Sequence, residues 1–469
     1  MILKRFYEEK LAQASFLVGC SATGECAIID PNRDIAQYLA AAKAENMRIT
    51  SVTETHIHAD FLSGARELAA AAGATIYLSA EGGPDWLYSY ANESNVKSVH
   101  DGDSIRIGNV RLDILHTPGH TPEHITFLLI DEPASPQPVG AFTGDFIFAG
   151  DVGRPDLLEK AAGIAGTMEA GARQLFASLQ KFSTQPSHLI LWPGHGAGSA
   201  CGKALGGMPV STLGYEKMAN WAFQVKTEAE FVAKVLEDQP EPPNYFAMMK
   251  HMNRKGPAKL DGFNTPKKLS VVDVSDAKNQ LLDVRSSAEF AAGYIPGSIN
   301  VPMSKSFTTW AGSVMSYDQP IHLVASSEAL AALAAHDLAM IGFDDVAGWH
   351  GTDSFEAWMD QHGPLKQIKA VHPRELHAEQ QKGYTVIDVR GASEWKGGHI
   401  PGATHVPLGR VAHELAGRDR KQPIVLQCQG GTRSQIALSI LAKLGFTDLL
   451  NLTGGFGEYV KSELKVSKE

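Results

Sequence analysis

From residue 1 to about 255 the hydrophobic positions fall in short runs, joined by polar and glycine-containing stretches. SFLVG and CAIIDP flank CSATGE, a turn that contains glycine, and together they predict a hairpin. DIAQYLAAAKAENM predicts a helix, and the β-branched ITSVTETH predicts a strand that delivers HIHAD at its C-terminal end. SGARELAAAAG predicts a second helix, capped by Ser63 and stopped at Gly73. RLDILHTPGH, AFTGDFIF and SHLILWPGH repeat one design, an apolar strand with polar residues at its tip. Four strands thus each bring a potential metal ligand to one edge. Residues 238–269 are rich in proline and lysine and predict an arm or linker, extended at its prolines.

The remainder repeats itself. LLDVRSSAEFAAGYIPGSINVPM at 281–303 matches VIDVRGASEWKGGHIPGATHVPL at 386–408, and PIHLVA at 320–325 matches PIVLQC at 423–428. Each copy reads as strand, loop, strand, helix, so two α/β domains of one fold are expected, at 266–365 and 370–469. They follow a first domain over 1–255, with its arm to about 265.

Composition narrows the class. The chain has 469 residues, too many for one core. With 43% hydrophobic and 20% charged residues it reads as soluble and globular. A formal charge of −10 repels phosphate backbones and argues against a nucleic-acid partner. Four cysteines are too sparse for a disulfide scaffold and fit a reducing cytoplasm. The apolar run ASFLVG is too short for a leader, and no run approaches a membrane span. The expectation is a cytoplasmic protein with no membrane partner.

The candidate metal ligands are His56, His58, Asp60, His120, Asp145 and His195. On an extended segment, a period of two would place His56, His58 and Asp60 on one side. TPGH, TGD and WPGH bring in the other three. Each histidine alone reads as a hydrogen-bonded or surface residue; together, on successive strand tips, they predict a metal site. The run THIHADF, with TPGHT, TGD and PGH, resembles the metallo-β-lactamase superfamily, which implies an αββα sandwich with metals at one edge. The superfamily usually reads T-H-x-H-x-D-H, and here the last position is Phe61. Phenylalanine has no lone pair, so the second metal position is weakened and the odds move toward one metal. Two imidazoles and one carboxylate suit iron(II) and leave coordination positions open for substrate and O2.

TGDFIFAGDVGRPD resembles the persulfide dioxygenases of that superfamily. The resemblance implies one Fe(II) per chain on His56, His120 and Asp145, and assigns Arg154 to a carboxylate or phosphate of the thiol carrier. His58, Asp60 and His195 are left to orient the ligands or to hold a residual second ion. PGHGAGSACGK, with Phe61, resembles the bacterial subgroup fused to rhodanese domains. Cys201 in that stretch either packs in a glycine-rich loop or is a thiol that meets the persulfide and helps bind it.

The second repeat carries the other chemistry. VLQCQGGTRSQIALSILAKLGF is a strand, Cys428 and a helix. The glycines let backbone N–H groups turn toward the sulfur, and the helix N-terminus lies behind them; both stabilise an anion there. DVR, E-x-x-x-G-H-I-P-G-A and CQGGTR resemble the rhodanese sulfurtransferases. That implies Cys428 as nucleophile in a cradle of Gln429, Gly430, Gly431, Thr432 and Arg433. In the first copy Ala325 stands at the nucleophile position and ASSEALA replaces CQGGTRS, so that copy is expected to be catalytically inactive.

The expected function is persulfide oxidation to sulfite, coupled to sulfur transfer that makes or uses thiosulfate, in sulfide detoxification. Glutathione, coenzyme A, bacillithiol and cysteine persulfides all fit as substrate, with O2 and sulfite or thiosulfate as the other reactants, and the resemblance implies a homo-oligomer. Two competitors stand beside it: a di-zinc thioester hydrolase of the glyoxalase II kind, and a sulfur carrier with a vestigial metal domain.

Overall fold

The computed structural model describes residues 1–162, 166–203, 205–260, 262–270 and 279–468. The chain divides into two compact units, Met1–Asp261 with Met340–Gly342, and Gly262–Ala339 with Phe343–Glu469. The first unit stacks two six-stranded sheets. One runs, in spatial order, Ile2–Glu8, Gln13–Cys20, Glu25–Ile29, Arg48–Thr53, Thr75–Ser79, Val96–Val99. The other runs Ser211–Thr212, Ile190–Pro193, Gly140–Gly144, Ile125–Asp131, Val110–His116, Ser104–Ile107.

The strand Gln13–Cys20 shows why both faces must be covered, because all of its residues are buried. Ala14, Phe16, Val18 and Cys20 point into the core between the sheets, with Leu112, Phe127 and Phe142 from the other sheet. Leu17 points the other way, into a cluster with Tyr38, Leu68 and Ala69 of the helices Ala36–Ala44 and Ala65–Ala72. The second sheet is covered likewise by Leu175 and Leu179 of helix Thr167–Ser183 and Phe231 of helix Glu228–Leu236. Period-two alternation on strands thus feeds three apolar layers, giving the αββα sandwich. The expected hairpin forms, with Gly19 opposite Cys26. So does the expected helix, as Ala65–Ala72, ending on left-handed Gly73; its N-cap is Gly64 and not the expected Ser63, whose hydroxyl, one residue earlier, accepts the Ala65 N–H at 3.0 Å.

The proline-rich arm is corrected. Residues Phe246–Lys255 form a helix packed within the first unit, with Phe246, Met249 and Asn253 buried. The prolines sit only at its flanks, at 240, 242, 243, 257 and 266, and the run between them has helical spacing.

In the second unit two parallel sheets repeat one strand order. The first is Ile299–Asn300, Gln280–Asp283, Ile321–Ala325, Val346–Gly351. The second, read from the matching edge, is Thr404–His405, Thr385–Asp388, Ile424–Gln427, Leu449–Leu452, Lys369–Val371. Both keep a buried ion pair at the same place: Arg285 on Asp283 and the Gly293 carbonyl, Arg390 on Asp388 and the Gly398 carbonyl. Across the two copies, Asn300 N–H donates to the Ser439 hydroxyl at 3.0 Å, on helix Thr432–Lys443. Among the described residues no helix is long and apolar enough to cross a membrane.

Candidate functional site

The strand Arg48–Thr53 stops before the histidines, and residues 54–64 leave it as a loop. The period of two is therefore lost, which corrects the expectation that His56, His58 and Asp60 share one side. They divide among three clusters: His56 with His120 and Asp145, Asp60 with His195 and Cys201, and His58 with Asp30 and Glu54. All nine residues are buried.

The first cluster meets the requirements of a metal site. Asp145 Oδ2 lies 3.9 Å from His56 Nε2 and 3.5 Å from His120 Nε2. Each imidazole is held from behind. His120 Nδ1 donates to the Arg154 carbonyl at 3.1 Å, and His195 Nδ1 donates to the Ala12 carbonyl at 3.1 Å. His56 Nδ1 lies 3.0 Å from the Thr55 hydroxyl, which itself donates to Asp30 at 2.9 Å. A carbonyl can only accept, so these contacts fix the tautomer and leave Nε2 with its lone pair inward. Both carboxylate oxygens of Asp145 and both of Asp60 lack a hydrogen-bond partner although buried. Acceptor atoms that converge without donors fit a cation. Burial, then neighbouring positive charge, holds His56 and His120 well below the ordinary histidine range, so both are neutral and ready to ligate.

Asp145 also faces the second cluster. Its Oδ1 is 3.4 Å from His195 Nε2, which is 3.3 Å from Asp60 Oδ2. Cys201 completes this cluster. Its thiol is pushed well above the ordinary value by burial and then by Asp60 and Asp145, so in the metal-free protein it is not an activated nucleophile.

His58 turns its Nε2 away, to Asp30 at 3.2 Å and Glu54 at 3.0 Å. Burial opposes its charge, but these carboxylates outweigh burial and raise its pKa. Phe61 lies against it, with ring centroids 4.4 Å apart. His124 supports Asp145: its Nε2 accepts the Asp145 N–H at 3.2 Å, so its Nδ1 carries the proton that goes to Thr117 at 2.9 Å.

Arg154 corrects another expectation. It is fully buried, pairs bidentately with Asp156 at 2.8 and 2.7 Å, and also donates to the carbonyls of Ala200 and Pro240. Its guanidinium is spent on structure and is not free to bind a substrate anion; its contribution to the site is the carbonyl behind His120.

Sequence reasoning missed the helix Phe246–Lys255 as part of this site. Asn253 donates to the carbonyls of His58 and Phe61 at 2.8 and 2.7 Å and accepts from Ser63 N–H at 2.9 Å. Tyr245 donates to the Asp60 carbonyl at 3.1 Å. These bonds fasten the loop that carries the histidines. The signal was present, as the uninterrupted helical run between two proline clusters. Asn253→Ala removes three bonds and strands three buried backbone groups, so a loss of about 2–4 kcal/mol is expected. Chemical denaturation checks it, and retained stability would show that the loop holds its shape alone.

In the second unit Cys428 follows strand Ile424–Gln427 and is buried, while Gln429 and Gly430 above it are exposed. Gly431 N–H donates to its sulfur at 3.1 Å, and the Ser434 hydroxyl lies 3.5 Å away. Thr432 opens the helix Thr432–Lys443, whose N-terminus faces the loop. A Cβ on Gly455 would lie 2.1 Å from the Cys428 carbonyl, so only glycine allows that approach. Arg433 pairs with Glu394 at 2.6 and 2.7 Å and lies near enough to Cys428 for their charges to interact. In the first copy Ala325 ends strand Ile321–Ala325, and helix Glu328–Met340 begins three residues on.

The metallo-beta-lactamase superfamily model matches residues 10–195, and the rhodanese-like domain model matches 270–361 and 372–462. A solved metallo-beta-lactamase from Staphylococcus aureus is 43% identical, with a TM-score of 0.68, over 75% of this chain and 98% of that one. Persulfide dioxygenase ETHE1 of Bos taurus is 29% identical over 50% of this chain and 81% of its own length. Hydroxyacylglutathione hydrolase of Rhodospirillum rubrum is 33% identical over 38% of this chain, which spans 60% of that relative's length. Thiosulfate sulfurtransferase GlpE of Pseudomonas fluorescens is 33% identical over 20% of this chain and 84% of its own length. The chain therefore belongs to the metallo-β-lactamase superfamily in its first part and to the rhodanese-like family, twice over, in its second.

Proposed function

We propose that this chain is a non-haem iron(II) persulfide dioxygenase fused to a rhodanese sulfurtransferase. The observation that carries the reading is the triad of His56, His120 and Asp145, two neutral imidazoles and one carboxylate with their donor atoms turned inward. Iron(II) held there would supply the activation of O2. The protein's own part is positional. Thr55 and the Arg154 carbonyl hold the two imidazoles, and His124 holds the backbone of Asp145. The terminal sulfur of a low-molecular-weight persulfide is oxidised to sulfite, and the carrier leaves as its thiol. In the second unit the Cys428 sulfur takes a sulfane sulfur from a donor, and sulfite can carry it off as thiosulfate. Two sites on one chain raise the local concentration of the shared intermediate.

The test is anaerobic purification with metal counting, then oxygen uptake on glutathione, coenzyme A, bacillithiol and cysteine persulfides. About one iron per chain is expected, with O2 consumed in step with sulfite formed. The cluster of Asp60, His195 and Cys201 favours a second reading, a di-zinc thioester hydrolase. Two zincs per chain, with thioester turnover that needs no oxygen, would replace the first reading by the second.

A further inference from the structure

Beside the metal triad a cleft of about 730 Å³ opens in the first unit. That volume suits a small organic ligand. Ile57 and Gly119 line it, and they are the chain neighbours of His56 and His120, so the cleft runs beside two of the triad's residues. One wall is the helix Phe246–Lys255. Ala247, Lys250 and Arg254 face the cleft at helical spacing, while Phe246, Met249 and Asn253 point into the core.

This wall is basic although the chain as a whole carries −10. Lys250, Arg254 and His251 line the cleft against one acid, Asp85. Lys250 is half-buried, and its one direct partner is the face of Trp86, 4.6 Å from the ring centroid. Among the described residues no carboxylate lies within ion-pair distance of it. Glu123 is near enough to favour its charge; one oxygen of that carboxylate accepts the Ile57 N–H at 2.8 Å, and the other has no hydrogen-bond partner. Burial lowers the Lys250 pKa to about 8, so it is still mostly charged at neutral pH. Arg254 spends only Nε, on the Leu87 carbonyl at 3.3 Å. A half-buried ammonium with no ion pair, beside a guanidinium whose two terminal nitrogens make no hydrogen bond, both among the described residues, can receive an anion. Arg154, the arginine the sequence offered for this task, is already saturated.

We propose that the helix Phe246–Lys255 reads the carrier: Lys250, with Arg254 beyond it, binds a carboxylate or phosphate on the thiol half of the substrate and selects anionic carriers over uncharged ones. The identity of the ligand as a persulfide carrier rests on the dioxygenase reading; the anion site itself does not. Lys250 acts as a positioning residue.

The test has two arms, both on the full-length chain. In the first, calorimetry measures binding of S-methylglutathione, S-methyl-coenzyme A and the dimethyl ester of S-methylglutathione. The charged probes are expected to bind and the ester to bind at least about tenfold more weakly. Lys250→Met or Arg254→Met is expected to erase that difference, and Lys250→Arg to keep it. Which charged probe binds tells carboxylate from phosphate. In the second arm, the ratio of kcat/KM for glutathione persulfide over an uncharged alkyl persulfide is expected to fall about tenfold in Lys250→Met, through KM. A charge preference that is absent from the wild type, or that survives both Met variants, overturns the proposal. Lys250-dependent binding in a protein that consumes no O2 on any persulfide supports the anion site and rejects the dioxygenase reading instead.

Discussion

Asp145→Ala is expected to empty the metal centre. Bound metal should fall from about one per chain to a trace, and oxygen uptake on persulfide by about a hundredfold or more, since even residues behind a ligand cost ten- to a hundredfold. Asp145 is the one residue shared by the two clusters, with Oδ2 toward His56 and His120 and Oδ1 toward His195. Without it His56 and His120 have no carboxylate between them, and His195 keeps only Asp60. The same change should stabilise the metal-free protein. Burial raises the Asp145 pKa from 3.8 to about 6, against the attraction of His195. A carboxylate raised on folding is a cost that is present above the folded pKa and absent below the unfolded one. Asp145→Asn, which keeps the shape, should therefore raise metal-free stability at pH 7 by on the order of a few kcal/mol and leave it unchanged near pH 3. Metal added back should stabilise the wild type and not the variant. Sulfur transfer at Cys428 should continue in both variants. If instead all sulfur chemistry, oxygen uptake included, survives Asp145→Ala, the metal domain is vestigial and the chain is a sulfur carrier.

The triad was legible because its members sit where apolar strands end, at TPGH and TGD, and a strand end is a place that both pattern and sheet topology fix. His58 and Asp60 were misplaced for a matching reason. Extended geometry was assumed to continue past Thr53, where the strand has already stopped, and beyond a strand the side-chain period carries no information. The role of Arg154 rested on the resemblance; nothing in GRPD discloses that Asp156 and the carbonyls of Ala200 and Pro240 take up the guanidinium. The helix with Lys250, Tyr245 and Asn253 was lost because prolines at its flanks outweighed the apolar spacing between them. The internal repeat survived intact, because strand order follows from hydrophobic runs and loops whether or not the loops keep their chemistry.

Cys428→Ser is expected to abolish sulfur transfer from thiosulfate to a thiol or cyanide in the full-length chain, by about a thousandfold or more, with oxygen uptake on persulfide retained. A hydroxyl at this position is neither ionised at neutral pH nor able to carry a sulfane sulfur. No residual activity should come from the first copy. There the strand ends in Ala325, and Glu328 stands where Gly431 turns its N–H to the sulfur. The ion pair of Arg433 with Glu394 has no counterpart, since Leu330 occupies the position of Arg433. The first copy nonetheless packs its strand Ile299–Asn300 against the helix that follows Cys428, whose residues Ser434–Leu441 are all buried. Its sequence has kept what that packing needs and lost what the reaction needs. Adding Ala325→Cys to the Cys428→Ser chain should therefore restore nothing, because Gly431 turns its N–H to the sulfur from a left-handed conformation, φ +103°, that the glutamate in its place disfavours. Measurable transfer from that double variant would show that position alone, without the glycine loop, makes the nucleophile.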